Sequence, residues 1–428
     1  MADRALKVVI LAAGKSTRMK SDAPKVLHKV AGLPVLQWVL DQADSLGALE
    51  SIVIIGHEGD RVRKAFENRS NIRFVTQEPQ LGTGHAVMQA KEALAGFKGD
   101  VAILCGDVPL IRPKTLQLMR HMHHSEEAAC TILTTLRDDP QGYGRIVRDG
   151  LGRVRRIVEQ KDLISQQEQI REVNTGTYLF DCEKLLPTLD KLGTDNAQSE
   201  YYLTDVVPQL ADGGNKVVAF ACDDHDEVMG INNRKQLATA DGIARARIMD
   251  ELMIEQGVTI YEPATTYIEA GARVGRDTVI YPHTVIRTGV EIGQRCSIGP
   301  FAHLRPGTRL GNECKVGAFV ETKNAAYGDG AKSGHLAYMG DVTLGKNVNI
   351  GAGSIVANYD GETKHQTEIG DNAFIGCGTV LVAPVKVGKN AQTGANTVVP
   401  HGKDVPDDTI VVGVPAKELR KKPGSNHA

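Results

Sequence analysis

The sequence predicts an α/β domain followed by an all-β coil of hexapeptide repeats, with one helix between them. Three observations carry this. Short apolar runs of strand length alternate with amphipathic segments through the first half. A charged helical pattern follows from residue 233 to 257. Aliphatics then recur at every sixth position: Ile268, Val274, Ile280, Ile286, Ile292, Ile298, Leu304, Leu310 and Val316 hold strict register, and Ile369, Ile375, Leu381, Val387, Thr393 and Val399 resume it. A six-residue period marks a coil in which each step is one face of a triangular prism, aliphatics pointing inward.

The first half opens on Lys7-Val8-Val9-Ile10-Leu11, a run typical of a buried parallel strand. Ser51 to Ile55 and Val101 to Leu104 repeat the pattern, with helical segments near 36–46, 60–68 and 84–94. Strands alternating with helices predict a doubly wound sheet with ligands at its carboxyl ends. The loop after the first strand, Leu11-Ala12-Ala13-Gly14-Lys15-Ser16-Thr17-Arg18-Met19, ends like a Gly-x-x-x-x-Gly-Lys-Ser phosphate loop. That motif needs Gly at position 9, where Val9 stands mid-strand, so the P-loop reading fails. What remains is a small-residue turn that can bring backbone N–H groups against phosphate or a base, flanked by the cations Arg18 and Lys25.

In the connector, Ala240, Ala244, Ile248 and Leu252 are spaced by four with charges between, and Gly257 can end the helix. In the coil the register breaks between Val316 and Ile369. Glu321, Lys323, His335, Tyr338, Asn349 and Asn358-Tyr359 fall in or beside the breaks. Residues that break a local rule mark places where function is expected. Arg305 adds a guanidinium suited to phosphate.

Composition narrows the function classes. A net charge of −2 over 428 residues gives no global field for nucleic acid or a membrane surface. Seven scattered cysteines without a Cys-x-x-Cys pair argue against a disulfide framework or zinc site and fit a reducing compartment. No signal-peptide pattern or membrane-length apolar run is present, so a cytoplasmic protein is expected.

The loop Leu11 to Met19 with Pro24-Lys25-Val26-Leu27 resembles the signature of sugar-1-phosphate nucleotidyltransferases, although the family usually has Gly where Ser16 stands. The resemblance implies a Rossmann-like domain in which Leu11, Ala12, Ala13, Gly14 and Lys25 bind nucleotide and Gln77, Gly82 and Thr83 recognise uracil. Gly144, Glu159 and Asn174 hold the sugar. Asp107 and Asn232 hold Mg²⁺, and Arg18 and Lys25 stabilise charge in the transition state. The motifs Asp139 to Ile146, Val158 to Asp162 and Val173 to Gly176 read as polar turns in the family's order.

The repeats resemble left-handed parallel β-helix acyltransferases. Gly334-His335-Leu336-Ala337-Tyr338, Asn349-Ile350-Gly351-Ala352-Gly353 and Asn358-Tyr359-Asp360-Gly361 then bring nearly the whole chain, Leu6 to about Ala416, into resemblance with the bacterial bifunctional N-acetylglucosamine-1-phosphate uridyltransferases/glucosamine-1-phosphate N-acetyltransferases. The resemblance implies two reactions that make UDP-N-acetylglucosamine from glucosamine 1-phosphate, acetyl-CoA and UTP. His335 is the implied general base, oriented by Glu321. Arg305, Lys323, Tyr338 and Asn349 bind sugar phosphate. Ala352, Asn358, Tyr359, Cys377 and Ala395 lie on the acetyl-CoA side. Cys377 stands where some members have Ser, and Lys417, Arg420 or Lys421 replaces an Arg that some relatives use for CoA phosphate. Implied domains are residues 1–232 and 258–428 joined by a linker helix 233–257, assembled as a homotrimer. A β-helix that only assembles or regulates a nucleotidyltransferase is the rival reading.

Overall fold

The computed structural model describes residues 4–14, 17–56 and 58–419. Lys15, Ser16, Arg420 and Lys421 lie outside the described residues. The chain forms two compact units, Met1–Ile243 and Ala244–Ala428, and one long helix, Arg234–Ile254, runs through the division. No helix among the described residues is long and apolar enough to cross a membrane.

The first unit is built on a nine-stranded sheet. Its centre is Leu6–Leu11, parallel to Glu50–Ile55 on one side and Asp100–Cys105 on the other. Successive side chains of a strand point to opposite faces. Val9, Ile52, Ile54 and Ile103 therefore enter one core, while Val8, Ile10, Val53 and Leu104 enter the other. Burial on both faces is why these strands read as unbroken apolar runs.

The sheet is not parallel throughout. Glu172–Asp181 lies antiparallel between Asp100–Cys105 and Cys130–Leu136, and Val217–Ala221 forms the edge, parallel to Cys130–Leu136. Val173 to Gly176, read from sequence as a turn, is part of this ten-residue strand. The polar residues misled for a physical reason. The ladder shifts register between Asn174 and Tyr178, Gly176 takes φ +81°, and Thr175 Oγ1 bonds the Leu133 carbonyl at 2.7 Å. It is a strand with a turn-like irregularity, which gives Asn, Thr and Gly a place inside a sheet.

The second unit is a parallel β-helix with three ladders. Val279 lies beside Ser297 on one face, Val285 beside His303 on the next and Glu291 beside Arg309 on the third, each eighteen residues on. All fifteen register positions named above point inward and are at most 5% exposed. At the breaks the step changes. Lys315 pairs with Lys332 and Glu321 with Tyr338, seventeen residues on, and Val342 pairs with Thr367, twenty-five on. The interior changes with it. Thr322, Tyr327 and Ser333 take buried positions, Tyr327 Oη meets Ser333 Oγ at 2.9 Å, and Thr308 Oγ1 meets Thr322 Oγ1 at 2.9 Å. These two hydroxyl pairs satisfy each other inside the coil, where an unpartnered hydroxyl is costly.

Two candidate active sites

The first site lies at the carboxyl ends of the central strands. The small-residue loop after Leu11 is held in place by backbone and side chain together. The Ala12 amide donates to the Ile54 carbonyl at 2.9 Å and the Gly106 amide to the Leu11 carbonyl at 2.9 Å. Gln80, unassigned by sequence, donates to the Ala13 carbonyl at 2.5 Å. Gly56 admits this contact, since a Cβ there would sit 2.3 Å from the Gln80 amide.

Cations and oxygens converge beside the loop. The Lys25 ammonium pairs with the Asp107 carboxylate and lies 3.2 Å from Asn232 Oδ1, which also accepts from Arg18 at 2.9 Å. The Ile231 amide donates to the Asp107 carbonyl at 2.9 Å, bringing the segment before Asn232 onto the strand end. Arg18, Lys25, Asp107 and Asn232, expected at one site from three separate stretches of the sequence, are thus together. Two hard oxygen donors already face a cation, which is the chemistry a divalent ion would use if phosphates and water supplied its other ligands. No cluster of three or more His, Cys, Asp or Glu suited to a metal occurs among the described residues.

The other expected residues fall into two hydrogen-bonded groups that meet at Leu203 and Thr204. Gln77 donates to the Gly82 carbonyl at 3.0 Å, and Gly82 takes φ +106° with the Tyr201 carbonyl 2.6 Å from where a Cβ would be. Thr83 Oγ1 accepts from the Leu203 amide at 3.1 Å. The Asn174 amide donates to the Gly144 carbonyl at 2.9 Å, and its side chain donates to Tyr178 Oη at 2.7 Å. Glu159 accepts from Thr204 Oγ1 at 3.2 Å. Burial raises the Glu159 carboxyl above its ordinary range, opposed by Thr204 and reinforced by Asp162. Cys105 Sγ donates to the Gly176 carbonyl at 3.4 Å; burial pushes this thiol up to about 12, so it acts as a neutral tie between the strand end and the irregular strand. Tyr178, Thr204 and Gln80 were missed because their roles are visible only as partners of other groups.

The second site runs along one corner of the coil. His335 pairs in register with Ala318, and with Ser333 beside Ile350 the same seventeen-residue step sets His335 on Ala352. The Gly378 amide bonds the Ala352 carbonyl at 2.8 Å and the Asn396 amide bonds the Cys377 carbonyl at 2.7 Å. His335, Ala352, Cys377 and Ala395 are therefore stacked on successive turns at one corner. His335 and Cys377 are exposed.

On the adjoining face Glu321 pairs with Tyr338 and accepts from Arg305 at 2.6 Å. His335 and Glu321 are not bonded to one another within the chain. Lys364 crowds Lys323 and lowers its pKa, with Arg305 adding to the effect. Asn349 lies on the His335 face, beside Phe374. Asn358 donates to the buried Asp341, which also accepts from Asn324 at 2.7 Å. Tyr359 bonds the Gly361 carbonyl and forms an isolated bridge with Lys364. Asp341 and Lys364 lie within the register break but drew no role from the sequence, since each acts through a partner, Asn358 for one and Lys323 for the other. Lys417 stands exposed on a short strand paired with Ile410–Val412.

Fold and sites together define a nucleotidyltransferase unit joined to a hexapeptide-repeat transferase coil. The MobA-like NTP transferase domain family matches residues 8–173, and the bacterial transferase hexapeptide family matches residues 289–324 and 366–401. The Bifunctional protein GlmU of Geotalea uraniireducens (strain Rf4) is 45% identical over 441 residues, 95% of this chain and 96% of its own. Those of Listeria monocytogenes serotype 4a (strain HCC23) and Streptococcus suis (strain 98HAH33) are each 43% identical, over 94% and 95% of this chain and 94% of their own. The chain belongs to the family of bifunctional GlmU proteins and is a bifunctional transferase. A solved UDP-glucose pyrophosphorylase complexed with UDP-glucose aligns with 57% of this chain and 99% of its own at 17% identity, with a TM-score of 0.46.

Proposed function

We propose that residues 1–232 transfer UMP from UTP to N-acetylglucosamine 1-phosphate, releasing pyrophosphate. Residues 258–428 acetylate glucosamine 1-phosphate with acetyl-CoA, and helix 233–257 links the two. The product, UDP-N-acetylglucosamine, would supply peptidoglycan and lipopolysaccharide precursors. The observation that carries the reading is the pairing on one GlmU-family chain of the Lys25–Asp107–Asn232–Arg18 cluster with the His335 corner.

In the first reaction a sugar-phosphate oxygen attacks the α-phosphorus in line and pyrophosphate leaves. Mg²⁺ held by Asp107 and Asn232 would neutralise triphosphate charge when bound. Arg18 and Lys25 stabilise negative charge that grows in the transition state. Leu11, Ala12, Ala13 and Gly14 pack against the nucleotide, Gln77, Gly82 and Thr83 read its base, and Gly144, Glu159 and Asn174 hold the sugar.

In the second, the glucosamine amine attacks the thioester carbonyl, His335 takes the amine proton, and CoA leaves as the thiol. Arg305, Lys323, Tyr338 and Asn349 hold the sugar phosphate, whose negative charge relieves the Lys323–Lys364 repulsion. Ala352, Cys377 and Ala395 line the CoA side with Asn358 and Tyr359. Glu321 turns toward His335 once phosphate takes Arg305. A cytoplasmic homotrimer formed through the coil completes the reading.

Two point variants test it. His335→Ala abolishes CoA release from acetyl-CoA and glucosamine 1-phosphate and leaves pyrophosphate release intact; Asp107→Ala does the reverse. Absence of CoA release by the unmodified protein leaves the coil with a purely structural role.

A further inference from the structure

Where the step of the coil is broken, three side chains stack at one corner: Asn324, Asp341 and Asn358, each seventeen residues from the next. Asp341 is 7% exposed and Asn358 6%. An ionised carboxylate only accepts, so each of its oxygens fixes the amide that meets it. Oδ1 takes the Asn324 NH₂ group at 2.7 Å, and Oδ2 takes the Asn358 NH₂ group. No other group among the described residues bonds the Asn358 side chain. Its backbone is set separately: the His365 amide donates to the Asn358 carbonyl at 2.8 Å, and the Asn358 amide to the Val356 carbonyl at 3.0 Å. Which way the side-chain amide faces is therefore decided by Asp341.

With the NH₂ group committed to Asp341, Asn358 Oδ1 is left free. It meets no donor among the described residues, yet it is not sealed from solvent. An amide oxygen on a largely buried side chain, held in one orientation and left open beside Tyr359, is an acceptor for an N–H. Both substrates of acetyl transfer carry one, the amine of glucosamine 1-phosphate and the amides in the pantetheine arm of CoA. We propose that Asp341 is a positioning residue that turns the Asn358 side-chain oxygen toward a substrate N–H, an inference that rests on the acetyl-transfer reading. The task needs a carboxylate. An amide at position 341 accepts from one neighbour and presents NH₂ to the other, so either Asn324 or Asn358 has to turn over.

The test uses the full chain with acetyl-CoA and glucosamine 1-phosphate, following CoA release. Asp341→Asn lowers kcat/KM roughly tenfold, the worth of one neutral hydrogen bond. Asn358→Ala, which removes the oxygen itself, loses at least as much, and adding Asp341→Asn to it costs nothing further. In Asp341→Asn a higher KM for acetyl-CoA identifies the donor as a pantetheine amide; a higher KM for glucosamine 1-phosphate, or a lower kcat, identifies it as the reacting amine. Asn324→Ala breaks the same stack on its other side and keeps kcat/KM within about threefold of the unmodified protein. An unchanged kcat/KM in Asp341→Asn overturns the proposal. So does a further loss when it is added to Asn358→Ala, or an equal loss in Asn324→Ala, which would mean that the stack only supports the coil. If the unmodified protein releases no CoA, the acetyl-transfer reading itself falls and takes the inference with it.

Discussion

Arg305 Nη1 donates to Glu321 Oε1 at 2.6 Å, across neighbouring turns of the coil. Both side chains are more than a third exposed, so the pair is worth well under ~1 kcal/mol of stability. Its importance is positional. Glu321→Gln should leave the melting temperature within about 2 °C of the unmodified protein. Acetyl transfer should drop at least about tenfold, because a neutral amide accepts only a weaker bond from the guanidinium and carries no charge to tune His335. A differential scanning melt and a CoA-release assay on one preparation check both halves.

Lys25 contacts both oxygens proposed to hold the metal. Replacing it with Met removes charge where the leaving phosphates develop it. Pyrophosphate release should fall by roughly 10²–10³, and raising Mg²⁺ should not restore it, whereas CoA release stays unchanged. Full rescue by Mg²⁺ would reduce Lys25 to a counter-ion.

Tyr327 and Ser333 form a buried hydroxyl pair inside the coil. Tyr327→Phe leaves the Ser333 hydroxyl short of its partner and should destabilise the second unit by about 1–2 kcal/mol. Adding Ser333→Ala should recover much of that loss, since removing both partners is far cheaper than orphaning one. Denaturant melts of the single and double variants measure the coupling directly; strictly additive losses would contradict it.

Burial raises the Glu159 carboxyl. A carboxyl whose pKa is higher folded than unfolded favours the folded state fully below its ordinary pKa, and that contribution is lost as pH rises through the folded value. Glu159→Gln never ionises. Melting temperatures of the two proteins should coincide near pH 3 to 4, and the Gln variant should pull ahead toward pH 7. Use of N-acetylglucosamine 1-phosphate should weaken at every pH where Glu159 is ionised.

Much of the fold is legible in the sequence because burial leaves a period behind. Val8 to Ile10 are apolar because both faces of their strand are covered, and Ile268 to Val316 repeat because each turn buries one residue per face. The strand Glu172–Asp181 is harder to read, since its irregularity admits Asn174, Thr175 and Gly176, residues that elsewhere end strands. At the sites, Asp107 stands out as a carboxylate at the end of an apolar run and His335 as a polar ring where the repeat breaks. Gln80, Thr204 and Asp341 do not, because each matters through a partner 45 to 67 residues away, or one turn of coil, and no local pattern records that distance.

The change of step within the coil has a consequence for how such a chain can be altered. Extra length between Ala357 and Thr367 leaves the faces on either side in order: Ile350 still meets Ile375, Val356 meets Leu381, and Thr367 meets Val385 eighteen residues on. The faces are bound to their neighbours by ladders, whereas the extra segment at this corner closes on itself through the isolated bridge between Tyr359 and Lys364. Corners are therefore splice points. A segment of different length and chemistry can be inserted at one of them while the prism closes above and below it, so new reactivity can be acquired there without redesigning the rungs.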